Sequence, residues 1–289
     1  MGNHTAVADP PAAPSPPGKP ARSAGDWVRF GLRGVGQTLI TAGLVVLLFV
    51  VYEVWITNIF ADRNNAKHIR DFRAFANSDV VDPLNLPGGK VATIPVGDNI
   101  GILYLPRLGR DYAEAIVQGG TVPDDSQLEQ GTAHYGATQL PGQRGNFAIA
   151  GHRVGKGEPF LNLDHLLSGD AVVVETKSYW YVYRVLGQPG GGDPQTDTPF
   201  VYPGTQGQDQ IPGREIVDPS DGDVLYPIPN DTSATVRDAT QKLMTMTTCH
   251  PKFTASQRMI IHARLDERVA ADGANMPSSI QALYDEVKS

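Results

Sequence analysis

The chain has 289 residues, 40% hydrophobic and 19% charged, with 24 Lys and Arg against 31 Asp and Glu for a formal charge of −7. That length allows one or two domains with a real core, and an acidic chain without a dense basic stripe argues against nucleic-acid binding. The single cysteine excludes an intrachain disulfide and Cys₄ or Cys₂His₂ zinc, and 31 Gly with 23 Pro fit a turn-rich β protein better than a helical bundle.

Residues 1–33 read as a disordered cytoplasmic tail. Pro10, Pro11, Pro14, Pro16, Pro17 and Pro20 sit among Ala, Ser and Gly, with too little apolar surface to offset chain entropy. Residues 34–52 carry no charge, and after Glu53 the apolar run resumes. Nineteen helical residues rise roughly 29 Å, about the hydrocarbon thickness of a bilayer. Residues 34–57 are therefore expected to cross the membrane once, with Tyr52 and Trp55 in an interfacial belt. Arg29 and Arg33 before the span put the N-terminus inside and the rest of the chain outside. A cleaved signal peptide does not fit, because Ala74-Phe75-Ala76 lies too far beyond the run. Nor does a lipid-modified cysteine, since the only one is Cys249. The segment reads as a retained anchor.

Residues 58–90 read as a polar, partly helical linker. From Val91 the pattern turns to short β-rich runs: 91–96, 99–108, 145–153, 170–186, 241–250 and 257–265, separated by turn residues. Residues 91–265 are thus expected to form an all-β barrel or sandwich. Residues 156–168 carry a short helical pattern. Residues 186–213, dense in Gly, Pro, Asp and Gln, read as a flexible inserted loop. The tail, 266–289, is polar with an amphipathic stretch at Ile280, Leu283, Tyr284 and Val287.

A lone thiol outside the membrane is either a small buried hydrophobe or a nucleophile. Cys249 ends an alternating run and is followed by His250-Pro251, which stops a strand. Arg258 opens the next run nine residues later, so antiparallel pairing would bring both to one end of a sheet. A guanidinium there can donate to a developing oxyanion and favour a thiolate. His152 ends another run behind Gly151 and could protonate a leaving amine, then act as base.

These residues resemble the sortase family. Thr245-Met246-Thr247-Thr248-Cys249 is similar to the sortase Thr-Leu-x-Thr-Cys signature, with Met246 for the usual Leu, a near-isovolumetric swap. Ala150-Gly151-His152-Arg153 resembles the histidine-bearing strand, and Arg258 matches the sortase arginine. The likeness covers about residues 91–265, and Thr-Thr-Cys-His-Pro most resembles class E sortases of actinobacteria. It implies a closed sortase-type β-barrel with short helices after one N-terminal transmembrane helix. It further implies a cysteine transpeptidase that cuts a Leu-Ala-x-Thr-Gly or Leu-Pro-x-Thr-Gly type of sorting motif between Thr and Gly. The partners implied are secreted proteins bearing that C-terminal signal and a cell-wall amine, with the bilayer holding residues 34–57. Cys249, His152 and Arg258 would be catalytic; Thr248, Thr247 and Tyr104 are expected in the substrate pocket. No cofactor or metal is expected: Asp124, Asp125 and Glu129 lack EF-hand spacing and read as a solvated loop.

His134 reads as structural, His262 as outward-facing, and His250 as turned to the opposite face or held in the turn. Two competing functions stay open on sequence: another extracytoplasmic Cys–His enzyme of the cell wall, and a tethered β-barrel that only binds wall or pilus components. A structural thiol would resist a charged alkylating reagent, whereas an active-site thiol would react.

Overall fold

The structure is a computed structural model that describes residues 24–52, 57–187, 198–204, 210–273 and 275–287. The proline-rich stretch 1–23 lies outside the described residues, as does 53–56 with Glu53 and Trp55. The first helix, α1 (Ala24–Val51), starts ten residues before the uncharged run, inside the expected disordered tail. Trp27, Val28, Phe30 and Leu32 extend its apolar surface, and the tail's last proline is Pro20. Its apolar stretch, Trp27–Val51, is long and apolar enough to cross a membrane by length and composition, with Arg29 and Arg33 near its start.

Eleven strands follow among the described residues, the first six being β1 (Asn99–Tyr104), β2 (Glu114–Gln118), β3 (Thr132–His134), β4 (Gly145–Ala150), β5 (Ala171–Glu175) and β6 (Tyr179–Val185). They continue with β7 (Phe200–Val201), β8 (Gln210–Ile211), β9 (Arg214–Val217), β10 (Lys242–His250) and β11 (Gln257–Ala270). The sheet order β10-β4-β3-β2-β1-β5-β6-β11 closes through a β10–β11 pairing, so eight strands form a barrel, and β9 lies against β11 outside the ring. The β4–β10 and β2–β3 pairs are parallel; the remaining barrel pairs are antiparallel. Alternation puts Met244 and Met246 of β10 in the barrel interior with Leu103, Ile116, Phe147, Ile149 and Ile261. Thr245, Thr247 and Cys249 therefore face outward.

The structure departs from expectation at several elements. Residues 91–96 form no strand, because Pro95 lacks a donor and the Asp98 N–H closes a turn onto its carbonyl. Strands β2, β3 and β9 are too short to show a period. β11 runs five residues past Leu265, pairing with β6 after a register shift near Asp266. The expected helix in 156–168 shrinks to a 3₁₀ turn at Leu163–His165.

The linker forms α2 (Thr57–Ala76), a long helix that packs Phe72 and Ala76 onto the outer face of β1, β5 and β6. The tail forms α4 (Ser278–Glu286), whose Ile280 and Leu283 join the same cluster. The expected inserted loop is tied down where it is described. β7 pairs with β8, Tyr202 and Ile211 are buried, and the Tyr202 hydroxyl accepts from the Thr240 and Gln241 N–H groups at 2.7 and 3.0 Å. Residues 188–197 and 205–209 of that loop lie outside the described residues.

Candidate active site

Strand register assembles the site. In β10–β11, Cys249 stands directly opposite Arg258, so both side chains project to one face of the pair. In the parallel β4–β10 pair, Ala150 stands beside Thr247. The Gly151 N–H extends that ladder to the Thr247 carbonyl at 3.1 Å, which brings His152 level with Cys249. The position needs glycine, since a Cβ at Gly151 would come within 2.6 Å of the Phe160 ring.

Cys249, His152 and Arg258 line one groove of about 440 Å³ on the outer barrel wall. Its sides are the 122–128 segment, with short helix α3 (Asp125–Leu128), and the 219–225 loop. Cys249 is half-buried. Arg258 donates through Nη1 to the Ala255 and Gln257 carbonyls, each at 3.1 Å, and these bonds fix the guanidinium at the rim. Cys249 and His152 also line a second hollow of about 400 Å³, bounded by Arg153, Val154 and Phe253–Ala255.

The His152 imidazole is mostly buried and its Nε2 has no hydrogen-bond partner. The nearest carboxylate oxygen is Asp125 Oδ1 at 3.8 Å. Burial, and then the Lys156 ammonium, hold its pKa below the ordinary histidine value; Asp125 and Glu129 oppose them. The acidic cluster thus has distinct duties. Asp124 caps α3, while Asp125 and Glu129 bind Lys156 at 2.8 and 2.9 Å. Lys156 sits in a tight loop in which it and Glu158 both adopt positive φ. Asn58 of α2 clamps that loop: it accepts from the Gly157 N–H at 3.1 Å and donates to Glu158 at 3.0 Å.

The three expected pocket residues part company. Thr247 lies in the groove, its hydroxyl 2.8 Å from that of Tyr135. Thr248 borders the groove, but its hydroxyl is spent on the Gly151 carbonyl at 2.8 Å, which pins β4 to β10. Tyr104 is elsewhere. It is 4% exposed beneath α2, stacked on Trp180 and donating to Glu175 at 2.6 Å, because strand alternation sends it to the face under the helices. His262 is outside the barrel interior but not solvent-facing: it is 1% exposed, bonded to Thr245 and to Glu215 under β9. His134 is structural, as expected, held by Gln118 and Gln139, and burial pushes its pKa down to about 4. His250 accepts from Arg153 at 2.9 Å.

Two neighbours went unread in the sequence. Tyr135 lies 112 positions from its partner Thr247. Arg153 is buried behind the thiol, donating to the Cys249 carbonyl at 3.4 Å and paired with Asp164 at 3.2 Å. Neither has a local pattern, although Arg153 stands next to the histidine in the motif.

A family model described as a sortase domain matches residues 103–266. Sortase SrtE2 of Streptomyces coelicolor (strain ATCC BAA-471 / A3(2) / M145) is 30% identical over 249 residues, covering 84% of this chain and 85% of that protein. Sortase SrtE1 of the same organism is 29% identical over 250 residues, covering 83% of this chain but 59% of that longer relative. The SrtF sortase from Corynebacterium diphtheriae superposes with a TM-score of 0.57 at 37% identity, covering 70% of this chain and 99% of that one. These matches set aside the competing enzyme and binding-module readings. A closed β-barrel that carries Thr-Thr-Cys at a strand end, together with this likeness, places the chain in the sortase family as a class E-like transpeptidase.

Proposed function

We propose that this transpeptidase works from the bilayer surface on secreted proteins carrying a Leu-Ala-x-Thr-Gly or Leu-Pro-x-Thr-Gly type of C-terminal signal. The observation that carries the reading is the convergence of Cys249, His152 and Arg258 on one groove. The thiolate of Cys249 attacks the threonine carbonyl carbon. The Arg258 guanidinium, on the same face, donates to the resulting oxyanion. As the C–N bond breaks, protonated His152 gives its proton to the departing glycine amine, leaving a thioester on Cys249. A cell-wall amine then attacks that thioester while neutral His152 takes its proton; the C–S bond breaks and the thiolate is restored. Two substrates must meet at one sulfur, and Cys249 and His152 line both hollows, which offers two approaches. Thr247 and Tyr135 offer hydroxyls to the peptide in the groove. The apolar span supports a single-pass anchor, and Arg29 and Arg33 before it support a cytoplasmic N-terminus.

The test uses the full chain in detergent with fluorogenic peptides of both motifs, with and without hydroxylamine. Thr–Gly cleavage that yields a hydroxamate and vanishes in Cys249→Ala is expected. Arg258→Ala and His152→Ala should each lower kcat by about 10²–10³ with the fold retained. Arg258→Ala activity within a few-fold of the parent would remove it from the oxyanion role. Absence of any cleavage, with Cys249 inert to a charged alkylating reagent, would defeat the reading as a whole.

A further inference from the structure

α2 has a second face that the barrel does not use. At 100° per residue, Ala61, Ile69, Phe72, Phe75 and Ala76 share the arc that packs inward. The opposite arc holds Ile59, Phe60, Arg63, Lys67, Arg70 and Ala74, all exposed, with Ile59 at 48% and Phe60 at 58%. The helix's two acids, Asp62 and Asp71, fall outside that arc. Among the described residues, none of Arg63, Lys67 and Arg70 forms an ion pair; the Arg63 guanidinium lies 6.0 Å from the centre of the Phe60 ring. In a chain of net charge −7, a row of three cations one helical turn apart with no carboxylate between them runs against the overall balance.

We propose that this face of α2 lies on an anionic bilayer surface, with Arg63, Lys67 and Arg70 on lipid phosphates and Ile59 and Phe60 at the headgroup boundary. The proposal rests on the membrane-anchor reading of the apolar span. Two observations select a lipid surface as the occupant. Charge complementarity is one, since the row is purely cationic while its flanks are mixed. Chain length is the other. The apolar helix ends at Val51 and α2 begins at Thr57, so five residues, at most about 20 Å of chain, separate them. A helix tethered that closely to a span starts its course beside the headgroups. Its exposed aliphatic and aromatic pair is at the near end, and its cations follow.

The test uses the full chain carrying Cys249→Ala, so that Ala74→Cys on the outer arc takes a single environment-sensitive dye. The chain is reconstituted in phosphatidylcholine vesicles, alone or mixed with phosphatidylglycerol. Flotation reads the anchor; dye emission and quenching by nitroxide lipids read contact of α2. Flotation with both vesicles is expected, with a blue shift and several-fold stronger quenching only when phosphatidylglycerol is present. High salt, or Arg63→Glu with Lys67→Glu and Arg70→Glu, should abolish the difference without lowering Tm, because the three side chains are exposed. Flotation with identical emission in the two vesicles would overturn the surface contact while leaving the anchor standing. Emission that shifts equally in both would overturn the role of charge. A chain that floats with neither vesicle would overturn the anchor and the proposal together.

Discussion

At His152, two groups of opposite charge set the proton affinity and can be changed separately. Lys156 pushes the imidazole pKa down and Asp125 pulls it up. Lys156→Gln should therefore raise the His152 titration midpoint and Asp125→Asn should lower it, read from the imidazole proton shifts by NMR. Movement in the same direction in both variants would show that Lys156 acts by holding the loop, not by its charge. Tyr104 offers a contrasting case. Tyr104→Phe leaves Glu175 buried without its donor, at a cost of about 1–3 kcal/mol read by denaturant unfolding, while peptide KM stays unchanged. A raised KM would return Tyr104 to the pocket. The two tyrosines also show what sequence can carry. Tyr104 was expected in the substrate pocket, but the β1 pleat turns it under α2. Tyr135, a true groove residue, stood unmarked in a three-residue strand's exit turn. That Cys249, His152 and Arg258 would meet at one place was readable because each sits at or just past a strand end in a short local pattern.

At the scale of elements, the long strands were legible and the short ones were not. β10 and β11 are nine and fourteen residues long and carry dense apolar runs, although the β11 run stops being readable at Leu265, where Asp266, Glu267 and Arg268 follow; β3 has three residues and no period to detect. The amphipathic pattern of the tail was visible, yet its docking needed the partner surface of β1, β5 and β6. Ile280 of α4 is fully buried there, so Ile280→Ala should cost roughly 2–4 kcal/mol by chemical denaturation. Turnover per folded molecule should stay unchanged, because the groove lies on the β4–β10–β11 wall. An unchanged unfolding midpoint would show that α4 detaches in solution. The 186–213 segment teaches a related point. Its Gly and Pro content marked it as loose, but Tyr202 and Ile211 are placed by long-range contacts that composition cannot report. Removing 198–212 should therefore lower stability, and not merely retune the groove.

Over the whole molecule, the barrel spends its two outer walls differently. The β1–β5–β6 wall is covered by α2 and α4, which come from opposite ends of the chain. The β4–β10–β11 wall carries the groove. A fragment begun at Asn77 would uncover Phe72's site on the first wall and should unfold at markedly lower denaturant than one begun at Thr57; equal midpoints would make α2 a mere spacer. The Asn58 clamp extends this to the bench. The helix that follows the apolar span in the chain also grips the loop that carries Lys156 beside His152. A soluble enzyme trimmed to Asp62, a natural boundary by sequence polarity, would keep its barrel and every residue of the groove. It would nonetheless release a loop that holds two positive-φ residues, and its slower turnover would be mistaken for the intrinsic rate. Trimming at Thr57 keeps the grip, so the start site of a shortened enzyme is itself an active-site decision.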